Sequence, residues 1–196
     1  MRFAVLGEHH VMNALAAAAS AFALGIGIDV IVEGLEAVTR AERWRMEVLA
    51  TDPVTVVNDA YNASPDSMAA ALKTLVQIAP PGGRTIAVLG EMTELGEVAG
   101  EEHDRIGLLA VRLNVSQLLV VGEGARRLHL SASAEGSWDG ESLFAETAEE
   151  AEAMLAAMIE PGDTVLVKSS NAAGLRHLGD RLGARWARSL LDGGVA

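Results

Sequence analysis

Short apolar runs rich in β-branched residues alternate along this chain with longer segments whose apolar positions recur every three or four residues. Val54–Val57, Thr85–Leu89, Gln117–Val121 and Thr164–Val167 are runs of the first kind and predict buried strands. Met46–Leu49 reads as a further short strand, paired with Val54–Val57 across Thr51-Asp52-Pro53. Phe3–Leu6 is another strand-like run. The 3.6-residue pattern predicts helices from His10 to about Leu24, closed by Gly25, and over Asp29–Thr39, with Asp29 as cap and Ile31, Leu35 and Val38 on one face. Further helices are predicted over Ser67–Ile78, from about Glu101 to Leu113, beginning within Gly122–Leu128, over Thr147–Ile159 and over Ala172–Leu191. Ser131–Gly140 is polar and reads as a surface excursion, and Asp192–Ala196 as a frayed tail.

Apolar strands alternating with helices imply an α/β fold, a doubly wound and mostly parallel sheet with right-handed crossovers covering both faces. That domain runs from about residue 42 to residue 196. One strand and two helices before it do not make a core, so residues 1–41 read as the remnant of another domain.

The polar residues cluster at the carboxyl ends of the predicted strands, where open α/β sheets build ligand sites. Asn58–Met68 follows the Val54–Val57 strand. Within it Ser64 suits an N-cap, Pro65 the first helical residue and Asp66 the first turn. Such a helix start suits a phosphate or carboxylate. The plainer reading is that Asp59 and Asn62 only cap a turn. Gly90–Glu97, followed by His103, leaves the next strand, and Val167-Lys168-Ser169-Ser170-Asn171 leaves the last. Loops at equivalent edges would line one crevice. At Gly7–Asn13, His9 and Asn13 can share a helix face; a metal site, a helix start with exposed histidines, and recognition of a base all remain open. Arg43, Arg45 and Glu47 would share one face of a strand, where an arginine can fork onto a phosphate or simply line a solvated surface.

Composition narrows the choices. The chain has 196 residues, half of them hydrophobic, enough for one domain plus a fragment. It has no cysteine, which excludes disulfides and thiolate metal sites and fits a reducing cytoplasm. A formal charge of −12 with no basic patch argues against nucleic acid. Ala14–Ile28 is too short to span a membrane, and the amino-terminal run, interrupted by His9, His10 and Asn13, argues against a signal peptide. Gly122-Glu123-Gly124 lacks the third glycine of a dinucleotide fingerprint.

In order along the chain, Gly7–Ala17, Arg45-Met46-Glu47, Asp59–Met68, Leu89–Gly96 and His103 match successive motifs of the Mur ligase family, the ATP-dependent amide-forming enzymes of peptidoglycan precursor synthesis, which this chain therefore resembles. Two departures stand out. His10 occupies a position where the family pattern has Asn, and Val167–Asn171 replaces the family's Val-Lys-Gly-Ser-Arg, losing a glycine and an arginine. The resemblance implies a Rossmann-like carboxy-terminal ligase domain preceded by a strand and two helices from the end of the central ATP-binding domain. It implies a whole enzyme that joins D-alanyl-D-alanine to UDP-N-acetylmuramoyl-tripeptide through an acyl phosphate, using ATP and Mg²⁺, in the cytoplasm. By resemblance His9 and Asn13 meet the adenine, Arg45 the phosphates and Asp59 the ribose, while Tyr61, Asn62, Ser67, His103 and Lys168 form the substrate site. No Gly-x-x-x-x-Gly-Lys-Ser/Thr loop occurs, and Lys73 and Lys168 are the only lysines, so the phosphate cradle and the Mg²⁺ ligands are expected in the missing amino-terminal and central domains and the chain is expected to be inactive alone. The alternatives are a non-catalytic nucleotide- or peptide-binding module, and a family member with another amine, such as meso-diaminopimelate or glutamate.

Overall fold

The computed structural model describes residues 8–38, 42–136, 138 and 140–192, with the side chains of residues 8, 9 and 188–192 excepted. Six strands form one sheet in the order β1-β2-β6-β3-β4-β5: β1 Glu47–Ala50, β2 Thr55–Asn58, β3 Thr85–Leu89, β4 Gln117–Val121, β5 Glu141–Ala145 and β6 Thr164–Lys168. Only β1 runs antiparallel to its neighbour; the pairs β2–β6, β6–β3, β3–β4 and β4–β5 are parallel. The helices are α1 Glu8–Ala23, α2 Ile28–Glu36, α3 Pro65–Ile78, α4 Ala99–Arg112, α5 Arg126–Ser133, α6 Ala148–Met158 and α7 Arg176–Asp192.

Alternation along the buried strands divides the core in two. Ala87 and Leu89 of β3, with Leu166 of β6, pack beneath α3, α4 and α5 against Leu72, Ile106 and Leu128. Ile86 and Val88, with Val165 and Val167, face α6 and α7 against Leu155, Leu178 and Leu182. Every residue of β3 and β6 is buried, as a central parallel strand covered on both faces requires.

Several boundaries differ from the sequence-based expectations. Arg43–Met46 is a turn rather than the start of a strand, because Trp44 (φ 61°) and Met46 (φ 48°) are in the left-handed region. Arg43, Arg45 and Glu47 therefore do not share a strand face. Gly27, not Asp29, occupies the cap position of α2. The edge strand β5 was not expected, and α5 extends through the first part of the supposed surface excursion. Gly174, at φ 73°, separates a short 3₁₀ turn over Asn171–Ala173 from α7, which starts four residues later than expected. The strand expected at Phe3–Leu6 lies outside the described residues.

The helices α1 and α2 sit outside the two layers, packed on each other, with α1 touching α3. Ala14 and Ile31 are buried there, whereas Met12, Leu15, Phe22, Leu24, Ile28 and Val30 are all more than half exposed.

Candidate functional site

The hydrogen-bond register brings the first two site residues together. Asn58 of β2 stands opposite Val167 of β6, and the Asp59 amide donates to the Val167 carbonyl at 2.8 Å. One step further, Asp59 and Lys168 lie side by side on the face covered by α3. Lys168 Nζ donates to Asp59 Oδ2 at 2.6 Å and to the Asn62 carbonyl at 3.0 Å. Lys168 is 2% exposed and Asp59 8%. A charge pair this deep is tolerable only because each partner finds the other and further hydrogen bonds.

The second carboxylate oxygen of Asp59 accepts from the Met46 amide at 2.9 Å, and Glu47 Oε2 accepts from the Trp44 amide at 2.9 Å. These bonds hold the turn in its left-handed conformations. The turn in turn sets the Arg45 guanidinium 4.1 Å from the centre of the Tyr61 ring. Ser64 and Ser67 form a reciprocal capping box at the start of α3: the Ser67 amide donates to Ser64 Oγ at 3.3 Å and the Ser64 amide to Ser67 Oγ at 2.9 Å.

Around these side chains lies a cavity of about 200 Å³ lined by His10, Asn13, Arg45, Asp59, Tyr61, Asn62, Ser64, Ser67 and Lys168. It gathers the sequence-predicted residues Asn13, Arg45, Asp59, Tyr61, Asn62, Ser67 and Lys168. His9 belongs to α1, but its side chain lies outside the described residues. A second cavity, of about 630 Å³, opens on the other side of Tyr61 and Asn62 and is bounded by Thr93, Glu94, Asn171, Ala172 and Arg176.

His103 lines neither cavity. It is 2% exposed, accepts the Met92 amide at Nε2 (3.0 Å) and contacts the Ala99 carbonyl through Nδ1 (2.6 Å). Both ring nitrogens are thus spent on pinning the Glu91–Gly96 loop to the start of α4. The third loop completes the stitching. Ser170 Oγ accepts from the Thr93 amide at 2.9 Å, its own amide donates to the Glu91 carbonyl at 2.9 Å, and the Gly90 amide donates to the Lys168 carbonyl at 2.9 Å. A Cβ on Gly90 would lie 2.8 Å from that of Ser169, so the close approach of the two loops requires glycine there.

Sequence reasoning missed a second layer of polar residues. Asp180 of α7 accepts from Trp44 Nε1 at 3.1 Å, from Arg43 at 3.0 Å and from Asn58 Nδ2 at 3.2 Å. Asn58 Nδ2 also donates to the Arg176 carbonyl at 2.9 Å. The advance signals were Asn58, a polar residue closing an apolar strand, and Arg43, read from the sequence as facing solvent or a phosphate; neither pointed to Asp180. Among the described residues no three His, Cys, Asp or Glu side chains are grouped so as to hold a metal ion, and no helix is long and apolar enough to cross a membrane.

Comparison with known proteins agrees with this architecture. The chain is 46% identical to the UDP-N-acetylmuramoyl-tripeptide–D-alanyl-D-alanine ligase of Mycobacterium tuberculosis H37Rv, covering 93% of this chain and 39% of that protein. It is 31% identical to the ligase of the same name from Bacillus subtilis, over 89% of this chain and 38% of that one. Among solved structures, MurF from Acinetobacter baumannii superposes with a TM-score of 0.79 at 31% identity, over 91% of this chain and 38% of that chain. MurF from Thermotoga maritima in complex with ADP shares the fold, with a TM-score of 0.77 at 22% identity over 94% of this chain and 40% of that one. The chain therefore spans less than half the length of each of these relatives. Residues 44–171, which include Arg45 and all three rim loops, match the Mur ligase glutamate ligase domain, and the chain belongs to the Mur ligase family.

Proposed function

We propose that this chain is the carboxy-terminal, amine-substrate part of a cytoplasmic ATP-dependent ligase that joins D-alanyl-D-alanine to UDP-N-acetylmuramoyl-tripeptide. The observation that carries this reading is the pair of adjoining cavities divided by Tyr61 and Asn62, one bearing Arg45, Asn13, Asp59 and Lys168, the other bearing amide, hydroxyl and charged groups suited to a small peptide. The relatives' names supply the reaction.

ATP, when bound, supplies the phosphoryl group that activates the substrate carboxylate. In this chain Arg45 lines the smaller cavity, where a guanidinium can grip phosphate oxygens bidentately. Asn13 offers an amide for the base, and His9, four residues earlier on α1, is the residue the resemblance pairs with it. Asp59 keeps lone pairs for a ribose hydroxyl beyond those used by Met46 and Lys168, and it also positions Arg45 through the turn. Lys168 has its N–H groups directed at Asp59 and Asn62, so its work is to fix the loop that divides the cavities. His103 contributes one step further back by holding the Glu91–Gly96 loop, and Ser67 by capping α3. Catalysis of this kind rests on positioning and on neutralising phosphoryl charge.

Mg²⁺ ligation and the phosphate cradle belong to the part of the ligase outside these residues. Residues 1–41 belong with that part too. The exposed apolar side chains of α1 and α2 are the face it would cover.

The test is reconstitution. The chain joined to the amino-terminal and central portions of such a ligase is assayed for ATP-dependent ligation, in parallel with Arg45→Ala and Asp59→Ala. Both variants are expected to lose most of the activity. Unchanged ligation by Asp59→Ala would overturn the reading.

A further inference from the structure

Arg176 is the first residue of α7 and borders the larger cavity. Its place is fixed from several sides. The backbone carbonyl accepts from Asn58 Nδ2, Nη1 donates to the Asn171 carbonyl at 3.1 Å, and the guanidinium packs on Trp44, 5.3 Å from the ring centre. Trp44 is itself anchored by Asp180 and packs edge-on against His177. Yet the Arg176 Nε–H is buried with no acceptor among the described residues. A guanidinium carries five N–H donors in a rigid fork, and a buried donor left unpaired is costly. The enclosed Nε–H is itself out of reach from the cavity, so what the wall can offer is the terminal N–H groups beyond the one bonded to Asn171. A cation held this firmly at a cavity wall is prepared for an acceptor that arrives with a ligand.

The rest of the wall says which acceptor. The other charged residue is Glu94, and between the two charges lie Asn62, Asn171, Thr93 and Tyr61. One cation, one anion and a set of amides and hydroxyls complement a small zwitterion with a peptide bond. A second carboxylate, as in glutamate or meso-diaminopimelate, would find no second cation on this wall. Position 171, where the family pattern has arginine, is Asn171 here, and the Arg176 guanidinium reaches its carbonyl from α7.

We propose that Arg176 receives the free carboxylate of the dipeptide substrate and makes the cavity selective for an amine that carries a single carboxylate. This rests on the amine-substrate reading above and adds the residue that reads the substrate's far end.

The experiment is a titration of the ¹⁵N-labelled 196-residue chain, following backbone amides and the Arg176 Nε–H signal. D-Alanyl-D-alanine is expected to shift both Arg176 Nε–H and the amides of Tyr61 and Asn62. D-Alanyl-D-alaninamide, which lacks the carboxylate, should bind at least about tenfold more weakly and leave Nε–H unmoved, as loss of a charge-assisted hydrogen bond implies. Arg176→Gln should weaken the dipeptide by a similar factor. The capped dipeptide acts on the unaltered chain, so the conclusion stands even where the variant folds poorly. Equal binding of free and capped dipeptide would overturn the role of Arg176 and leave the amine-substrate reading intact. Absence of any shift at Tyr61 and Asn62 with millimolar dipeptide would overturn both.

Discussion

Lys168 Nζ lies 2.6 Å from Asp59 Oδ2, joining two residues 109 positions apart in sequence at the carboxyl ends of neighbouring parallel strands. The pair does more than neutralise itself. Through the other oxygen of Asp59 it reaches the Met46 amide, and so the turn that carries Arg45. Removing one partner strands the other charge in the interior. Lys168→Met should therefore destabilise the chain by about 3–5 kcal/mol in urea unfolding, and Asp59→Asn by a comparable amount. The double variant should lose clearly less than the two single losses combined, since no charge is then left alone. Strict additivity would show that the two groups do not depend on each other.

His103 provides a sharper contrast between supporting the site and touching a ligand. His103→Ala leaves the buried Met92 amide without its acceptor and removes the ring contact to the Ala99 carbonyl. A buried group left unpaired costs about 1–3 kcal/mol, so thermal unfolding should move to lower temperature and the Met92 amide should exchange faster with solvent. A substrate ligand would instead leave exchange in the unliganded chain unchanged.

Ser67 lines the smaller cavity but also completes the capping box with Ser64. Ser64→Ala is expected to cost about 1 kcal/mol of stability, in the usual range for an N-cap. Ser67→Ala should keep the Ser64 Oγ contact with its backbone amide and cost less. Helicity and unfolding midpoints of the two variants separate the contributions.

The start of α3 was legible because its cause is local: Ser64, Pro65 and the reciprocal Ser67 are neighbours in sequence. The buried strands β3, β4 and β6 were legible because central parallel strands are apolar on both faces, leaving continuous runs such as Thr85–Leu89. Edge strand β5 was not, because Glu141 is exposed and only Ala145 is fully buried, so its pattern resembles a loop. The left-handed conformations at Trp44 and Met46 were not legible either. Neither residue favours them, and they are held by Glu47 and Asp59 side chains whose positions depend on the finished fold. Arg176 escaped notice for the same reason. Its partner Asn58 is 118 residues away, and α7 begins at Arg176 only because Gly174 breaks the preceding turn. Motif order placed His103 beside the correct loop, but nothing in the order showed that both ring nitrogens face backbone.

His129 gives the chain a calculable response to acid. Its Nδ1 lies 2.8 Å from Ser142 Oγ on β5, and its ring packs against Phe144, over which Arg126 also sits. Burial, and then the Arg126 charge, hold its pKa below the ordinary 6.5. The folded chain thus takes up this proton less readily than the unfolded chain. Its contribution to stability is fully present above 6.5, falls as the pH drops from there toward the lower folded value, and is constant below it. Thermal unfolding followed from neutral pH to about pH 5 should show the parent chain losing more stability than His129→Gln, which has no proton to gain. Parallel curves for the two would assign the acid sensitivity of the α5–β5 edge to some other group.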